Sequence, residues 1–174
     1  MLRIIIVISA LLTLLSGCAT TPTTTLDTSP NFKPAQAAQA HPLEMYLHSG
    51  RLLRSGDMDE AAFWFYAGQL RYRVHLMARP NLPPDQDLAL FSSLNSTLGQ
   101  EVNEYIGGNP SEWEQVIENV LSWDDQTPND FTPKDKFPSA HREVRAGLLE
   151  LKEMIHKNHQ EIREDRASAG LENR

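Results

Sequence analysis

The chain has 174 residues, 40% hydrophobic and 22% charged, with 16 Lys and Arg against 23 Asp and Glu, a formal net charge of −7 and one cysteine. That profile is ordinary for one soluble domain, and a lone cysteine excludes disulfide scaffolds and cysteine-rich zinc folds. An acidic balance without a basic block argues against nucleic acid or anionic lipid as an electrostatic partner.

At the amino end, Arg3 is followed by residues 4–15, twelve mostly apolar positions without a charge. A spanning helix needs about 20 such residues, so this run has instead the length and flanks of a signal-peptide core. It closes on Leu15-Ser16-Gly17-Cys18. These four residues resemble the lipobox of bacterial lipoproteins. The resemblance implies removal of residues 1–17 and lipidation of Cys18, palmitate included, on its thiol and new amino group. Two or more acyl chains anchor stably where one binds only marginally. Ala19 follows in place of an Asp; by resemblance to lipoproteins of Gram-negative bacteria this implies the outer membrane, with the domain facing the periplasm.

Residues 18–41 are dominated by Thr, Ala, Pro and Gln and have no apolar period. The expected state is a flexible tether, because such a segment buries too little surface to offset its ordering entropy. Residues 42–166 then read as a single all-α domain of about five helices, and residues 167–174 as a disordered tail. The first helix spans 42–55 and stops at Gly56-Asp57. The second, capped by Asp57 or Asp59, carries EAAFWFYAGQLRYRVHLM, apolar on most faces in its first half, which marks it as the central helix. Proline 80, 83 and 84 break the chain. A third helix begins near Asp85, shows Leu88, Phe91, Leu94, Leu98, Val102 and Tyr105 at helical spacing, and stops at Gly107-Gly108. The fourth opens with Asn109, Pro110 and Glu112. A proline-rich loop is expected over 124–138, and a last helix from Ser139 runs through Val144, Leu148, Leu151, Ile155 and Ile162. No segment shows a sustained period of two.

The first two helices, through Tyr46, Gly50, Leu53, Ala62 and Tyr66, resemble a single tetratricopeptide-like or Sel1-like hairpin, with a register ambiguous by one residue. No second copy follows at the period of about 34 residues that stacked repeats require. The alternative is a plain hairpin that uses small residues for close packing, and Gly68 inside the apolar helix points to such a crossing.

Candidate chemistry is sparse. Glu153-x-x-His156 has the spacing of di-metal carboxylate bundles but occurs once, in a charged stretch that reads as a solvated face. His156 and His159 share a face, yet no third ligand for a transition metal is evident, so no metal or other cofactor is assigned. Asp124, Asp125 and Asp130 lie near one another but lack the glycine turn and terminal glutamate of a calcium loop. No nucleophile elbow, phosphate loop or zinc-protease motif occurs, so the chain is not expected to be an enzyme. A pair of carboxylates converging in space on a glycan stays open.

Charge is distributed unevenly. Residues 80–133 hold ten acids and no Lys or Arg, whereas 42–79 carry five Arg against four acids and 134–174 nine basic against eight acidic residues. This segment is either a solvated face or a negative patch that steers a basic partner. On the second reading the candidate partner-binding residues are Glu112, Trp113, Glu114, Trp123, Asp124, Asp125 and Asp130, the tryptophans serving as anchors. In format, though in no specific motif, a small acidic lipoprotein of this kind resembles the immunity proteins that neutralise basic secreted toxins in the periplasm. The expectation is therefore a lipid-anchored, protein-binding envelope protein, most simply such an inhibitor. The alternatives are an outer-membrane assembly or scaffold lipoprotein using the helical hairpin as a groove, and a cell-wall enzyme.

Overall fold

A computed structural model describes residues 32–174; the signal segment, Cys18 and most of the expected tether lie outside the described residues. Among the described residues there are six α-helices and no strands, forming a single helical domain: α1 (Pro42–Ser55), α2 (Met58–Ala78), α3 (Ala89–Ile106), α4 (Pro110–Gln126), α5 (Pro138–Lys157) and α6 (His159–Ser168). None of them is long and apolar enough to cross a membrane.

α2 is the central helix, packed by α1, α3, α4 and α5. Its first half buries Ala61, Ala62, Trp64, Phe65, Tyr66 and Ala67 together, which is why it shows no single apolar face. α1 and α2 form an antiparallel hairpin. Gly56 makes the turn at φ 81°, a left-handed conformation that glycine adopts without penalty, and donates to the Leu52 and Leu53 carbonyls. The hairpin closes tightly at Gly68, where a Cβ would lie 3.0 Å from the Tyr46 ring and 3.2 Å from Met45. Ser49 Oγ donates to the Ala61 carbonyl at 2.7 Å across the same contact.

Several boundaries differ from the sequence expectation, each for a local reason. α2 starts at Met58, and the Asp57 side chain caps nothing. α3 starts at Ala89 rather than near Asp85, because residues 84–88 form an irregular turn with Gln86 outside helical geometry. That turn delivers Asp87 to Tyr72 and His75. α4 continues through Asp124 and Asp125 to Gln126, so these acids are helical rather than part of the following loop. The expected last helix is two: Asn158 interrupts it, its side-chain amide donating to the Met154 carbonyl at 2.6 Å, and Ile162 belongs to α6.

Both expected flexible ends make contacts with the helices where they are described. Packing against the helices reaches back past Pro42 to Phe32, the first described residue: Phe32, Ala37 and Ala40 are buried, and Phe32 meets Trp64 edge-on at 5.1 Å. This N-terminal strap also binds the 127–137 loop, the Asp130 N–H donating to the Ala38 carbonyl at 2.7 Å. At the other end, the Arg174 N–H donates to the Gly108 carbonyl at 2.7 Å and its guanidinium lies 3.7 Å from the Tyr105 ring centroid. Gly108 admits this approach, since a Cβ there would lie 3.3 Å from Cγ of Arg174.

Two arginines, Arg71 on α2 and Arg79 just past its C-terminal end, hold the proline-rich loop. Arg71 donates to the Pro128 and Thr127 carbonyls, both at 3.0 Å. Arg79 donates to Thr132 Oγ1 at 3.2 Å and to the Phe131 carbonyl at 3.1 Å. The loop forms no helix of its own, and these two arginines supply donors to its carbonyls.

Candidate functional site

The acidic segment was the first candidate, and the fold disperses it. Asp124 is fully buried, which removes it as a surface contact. Its Oδ1 lies 2.7 Å from Nε of the equally buried Arg71, an ion contact made side by side without hydrogen-bond alignment, and its Oδ2 accepts from Arg145 at 2.9 Å. Arg71 in turn lies 4.8 Å from the centroid of Trp123. Trp123 is therefore no free anchor: it is half-buried, packed edge-on against Trp64 at 5.6 Å. Trp113 is likewise half-buried and donates inward to the Tyr66 hydroxyl at 2.7 Å.

The other candidate acids are exposed or partly so, and each has an internal partner. Asp125 pairs with Arg145 at 2.8 Å, Glu112 with Arg174 at 2.6 Å, and Asp130 accepts from the Gln39 amide at 3.0 Å. Glu114 faces His156 and His159. Outside the candidate set, Glu118 binds Lys152, raising that lysine's pKa through the hydrogen bond itself. Among the acids of residues 80–133, Asp85, Glu101, Glu104 and Asp130 have no cationic partner among the described residues. Asp124 and Asp125 share Arg145 while Asp130 turns to Gln39, and the three form no calcium pocket.

Two clusters bring two histidines and one carboxylate together: His41, His75 and Asp87, and Glu114, His156 and His159. They differ in what their ring nitrogens bond. In the first, Arg79 donates to His75 Nδ1 at 2.8 Å, and the Leu43 N–H donates to His41 Nδ1 at 3.1 Å. Both Nδ1 atoms are thus acceptors, so both neutral rings carry their proton on Nε2 and aim it at Asp87, 3.0 Å away for His75 and 3.4 Å for His41. With the Tyr72 hydroxyl donating at 2.9 Å, the carboxylate faces three protein donors. Burial pushes Asp87 up, and the hydrogen bonds from His75 and Tyr72 outweigh it, holding the carboxyl below its usual range. This cluster is a structural knot tying the strap, α2 and the turn before α3.

Three histidines, His41 of this cluster with His48 and His141 elsewhere, make stability depend on pH. Burial pushes His41 below the ordinary imidazole range against the pull of Asp87, and burial does the same to His48 and His141. Between their folded pKa values and about 6.5, the unfolded chain binds more protons than the folded one, so stability falls as pH drops through that window. Asp87, depressed in the folded state, adds stability that persists down to about pH 4 and is lost below. The urea midpoint is expected to be lower at about pH 5.5 than at about pH 7.5. His141→Gln, which keeps a donor toward the Thr132 carbonyl, is expected to narrow that difference. Equal midpoints at the two pH values would refute the assignment.

In the second cluster the sequence shows two histidines and misses the third group, Glu114, which α4 brings in from 42 residues away. Glu153 of the Glu-x-x-His spacing does not take part, pairing with Lys157 at 3.7 Å. His156 Nδ1 faces Glu114 Oε2 at 3.1 Å, and His159 Nε2 faces Glu114 Oε1. The opposite nitrogen of each ring bonds no described protein group.

The third notable surface is apolar. α3 and α5 flank α2, and between them runs an open groove floored by Leu76, Phe91 and Val144, with Arg73 on one rim and Glu143 and Glu150 on the other. It continues along α2 past Leu70 toward Leu148 and Leu151. Met77, 40% exposed, stands at its end. Gly147 lies in its wall, and a Cβ there would touch nothing within 4 Å. From Gln69 to Met77 the groove follows about 12 Å of helix, two turns. Nothing in the sequence pattern announces this groove, because its floor residues read as ordinary core positions.

Compared with known proteins, the chain matches no family, no curated protein and no solved structure.

Proposed function

We propose that the protein is an envelope lipoprotein, anchored through Cys18 in the outer membrane with its domain facing the periplasm, which acts by binding a protein partner in the groove between α3 and α5. Of the readings the sequence leaves open, it is nearest the assembly or scaffold lipoprotein, with the groove between α3 and α5 in place of the one expected on the α1–α2 hairpin. The groove itself carries it: an open, two-turn apolar channel with mixed-charge rims fits an amphipathic helix presenting residues at i, i+3 or i+4, and i+7. The inhibitor reading loses much of its surface, since Asp124 is buried and most other acids are internally paired. It retains Asp85, Glu101, Glu104 and Asp130, whose exposed carboxylates would still attract a basic partner.

A photo-crosslinking residue placed at Met77 or at Glu101 of the full chain in its own envelope separates the two. The groove reading expects one partner crosslinked from position 77 and lost on Gly147→Trp, which fills the channel from a site with room for a side chain. Crosslinks from position 101 alone, indifferent to Gly147→Trp, would transfer the function to the acidic face. Cys18→Ala is expected to release the chain from the membrane fraction in either case.

A further inference from the structure

We propose that Glu114, His156 and His159 form a site for one divalent transition-metal ion of the zinc class, with a coordination position left open to water. The three ligand atoms lie within 4.8 Å of one another and converge from three helices: α4, the last turn of α5 and the first residue of α6. Two imidazoles with one carboxylate suit zinc, copper or nickel, whereas calcium and magnesium take oxygen ligands almost exclusively.

Protonation favours this cluster over its counterpart at Asp87. A neutral histidine binds metal through the nitrogen that lacks the proton, so the other nitrogen must carry it. At His41 and His75 that other nitrogen already accepts a hydrogen bond, which forces the proton onto the side facing the carboxylate. At His156 and His159 the outward nitrogens are free to hold the proton, and the inward ones can turn lone pairs on a cation that takes the place of the N–H groups now facing Glu114.

The surroundings are compatible with a cation. Lys152 lines the same cleft, but its ammonium is engaged by Glu118, one turn along α4 from Glu114. Ligand exposure is graded, with side chains 18% exposed for Glu114, 34% for His159 and 68% for His156, so an ion can enter from solvent and retain a water ligand. The break at Asn158, fixed by its bond to Met154, holds the two imidazoles 6.0 Å apart between centroids. A bound ion would clamp α6 and the end of α5 to α4.

The test titrates the untagged full chain in detergent micelles with Zn²⁺ against a chromophoric chelator, and with Co²⁺ as a spectroscopic probe. One Zn²⁺ per chain is expected. Affinity should drop by roughly 100-fold in His156→Ala, His159→Ala and Glu114→Gln, and stay unchanged in His41→Ala. The visible Co²⁺ absorption should disappear in the same three variants. Zinc at about 100 times its Kd should raise the Tm of the parent chain by roughly 5–10 °C, with no such rise in the variants. Exposed His156 can be truncated without disturbing the core, so His156→Ala carries the test even if another variant unfolds. Absence of stoichiometric binding overturns the site, as does binding that survives His156→Ala or is lost in His41→Ala.

Discussion

Asp124→Ala is expected to cost about 3–5 kcal/mol of folding stability, measured by urea denaturation of the full chain. The substitution leaves the guanidinium of Arg71, 1% exposed, without its counter-charge and deprives Arg145 of one of its two carboxylates. Arg71 is also the donor that secures the loop carbonyls of Thr127 and Pro128, so its displacement should loosen that loop. The neighbouring Asp125 provides the contrast. Its carboxylate is 67% exposed and pairs with the same Arg145, and Asp125→Ala is expected to cost no more than about 1 kcal/mol. The double substitution Arg71→Met with Asp124→Leu should cost less than the sum of the two single changes, because no charge is left buried alone. A loss for Asp124→Ala no larger than for Asp125→Ala would mean that water reaches Arg71 and the pair is not a core element.

Phe65→Ala is expected to be comparably severe, about 3–5 kcal/mol. The ring is 1% exposed and inserts where α1, α2 and α3 meet, edge-on to Tyr46 at 5.3 Å and 5.4 Å from Tyr66. Gly99 of α3 accommodates it so closely that a Cβ there would lie 3.1 Å from Cζ. Truncation removes aromatic contacts and leaves a cavity that helices pinned on either side cannot fully collapse. Exposed Leu149 on α5 is the control: Leu149→Ala should change stability by less than about 0.5 kcal/mol in the same denaturation experiment. Similar losses for the two variants would contradict the packing described for α1, α2 and α3.

Much of the helical architecture is legible in the sequence because its determinants are local. Gly56, Pro80, Pro83, Pro84 and Gly107-Gly108 punctuate the chain, and the all-round apolar stretch after Glu60 identifies the central helix without reference to anything distant. What escapes the sequence is set by partners far along the chain. Asp124 and Asp125 are identical residues side by side in an acidic run, yet one is core and the other surface, a difference made by Arg71, 53 residues earlier. Glu114 reads as one more surface acid until α5 and α6 fold back onto it. The Asn158 break carries no proline or glycine and depends on a side-chain bond that competes with the helical one. The strap is a case in which the signal was present: Phe32 is the only aromatic residue between Cys18 and His41, and an aromatic in a Thr- and Pro-rich stretch marks a docking point.

That docking shortens the reach of the domain. On the proposed anchor at Cys18, a free segment up to Pro42 would allow 24 residue steps, about 80 Å when fully extended. With Phe32 fixed against Trp64 only 14 steps separate lipid from fold, a ceiling of about 50 Å whatever conformation they take. The strap therefore sets a search radius. A partner for the groove must come within that distance of the bilayer, so the protein is suited to meet components that are membrane-bound or passing close to the membrane, and at the raised effective concentration that a short leash imposes.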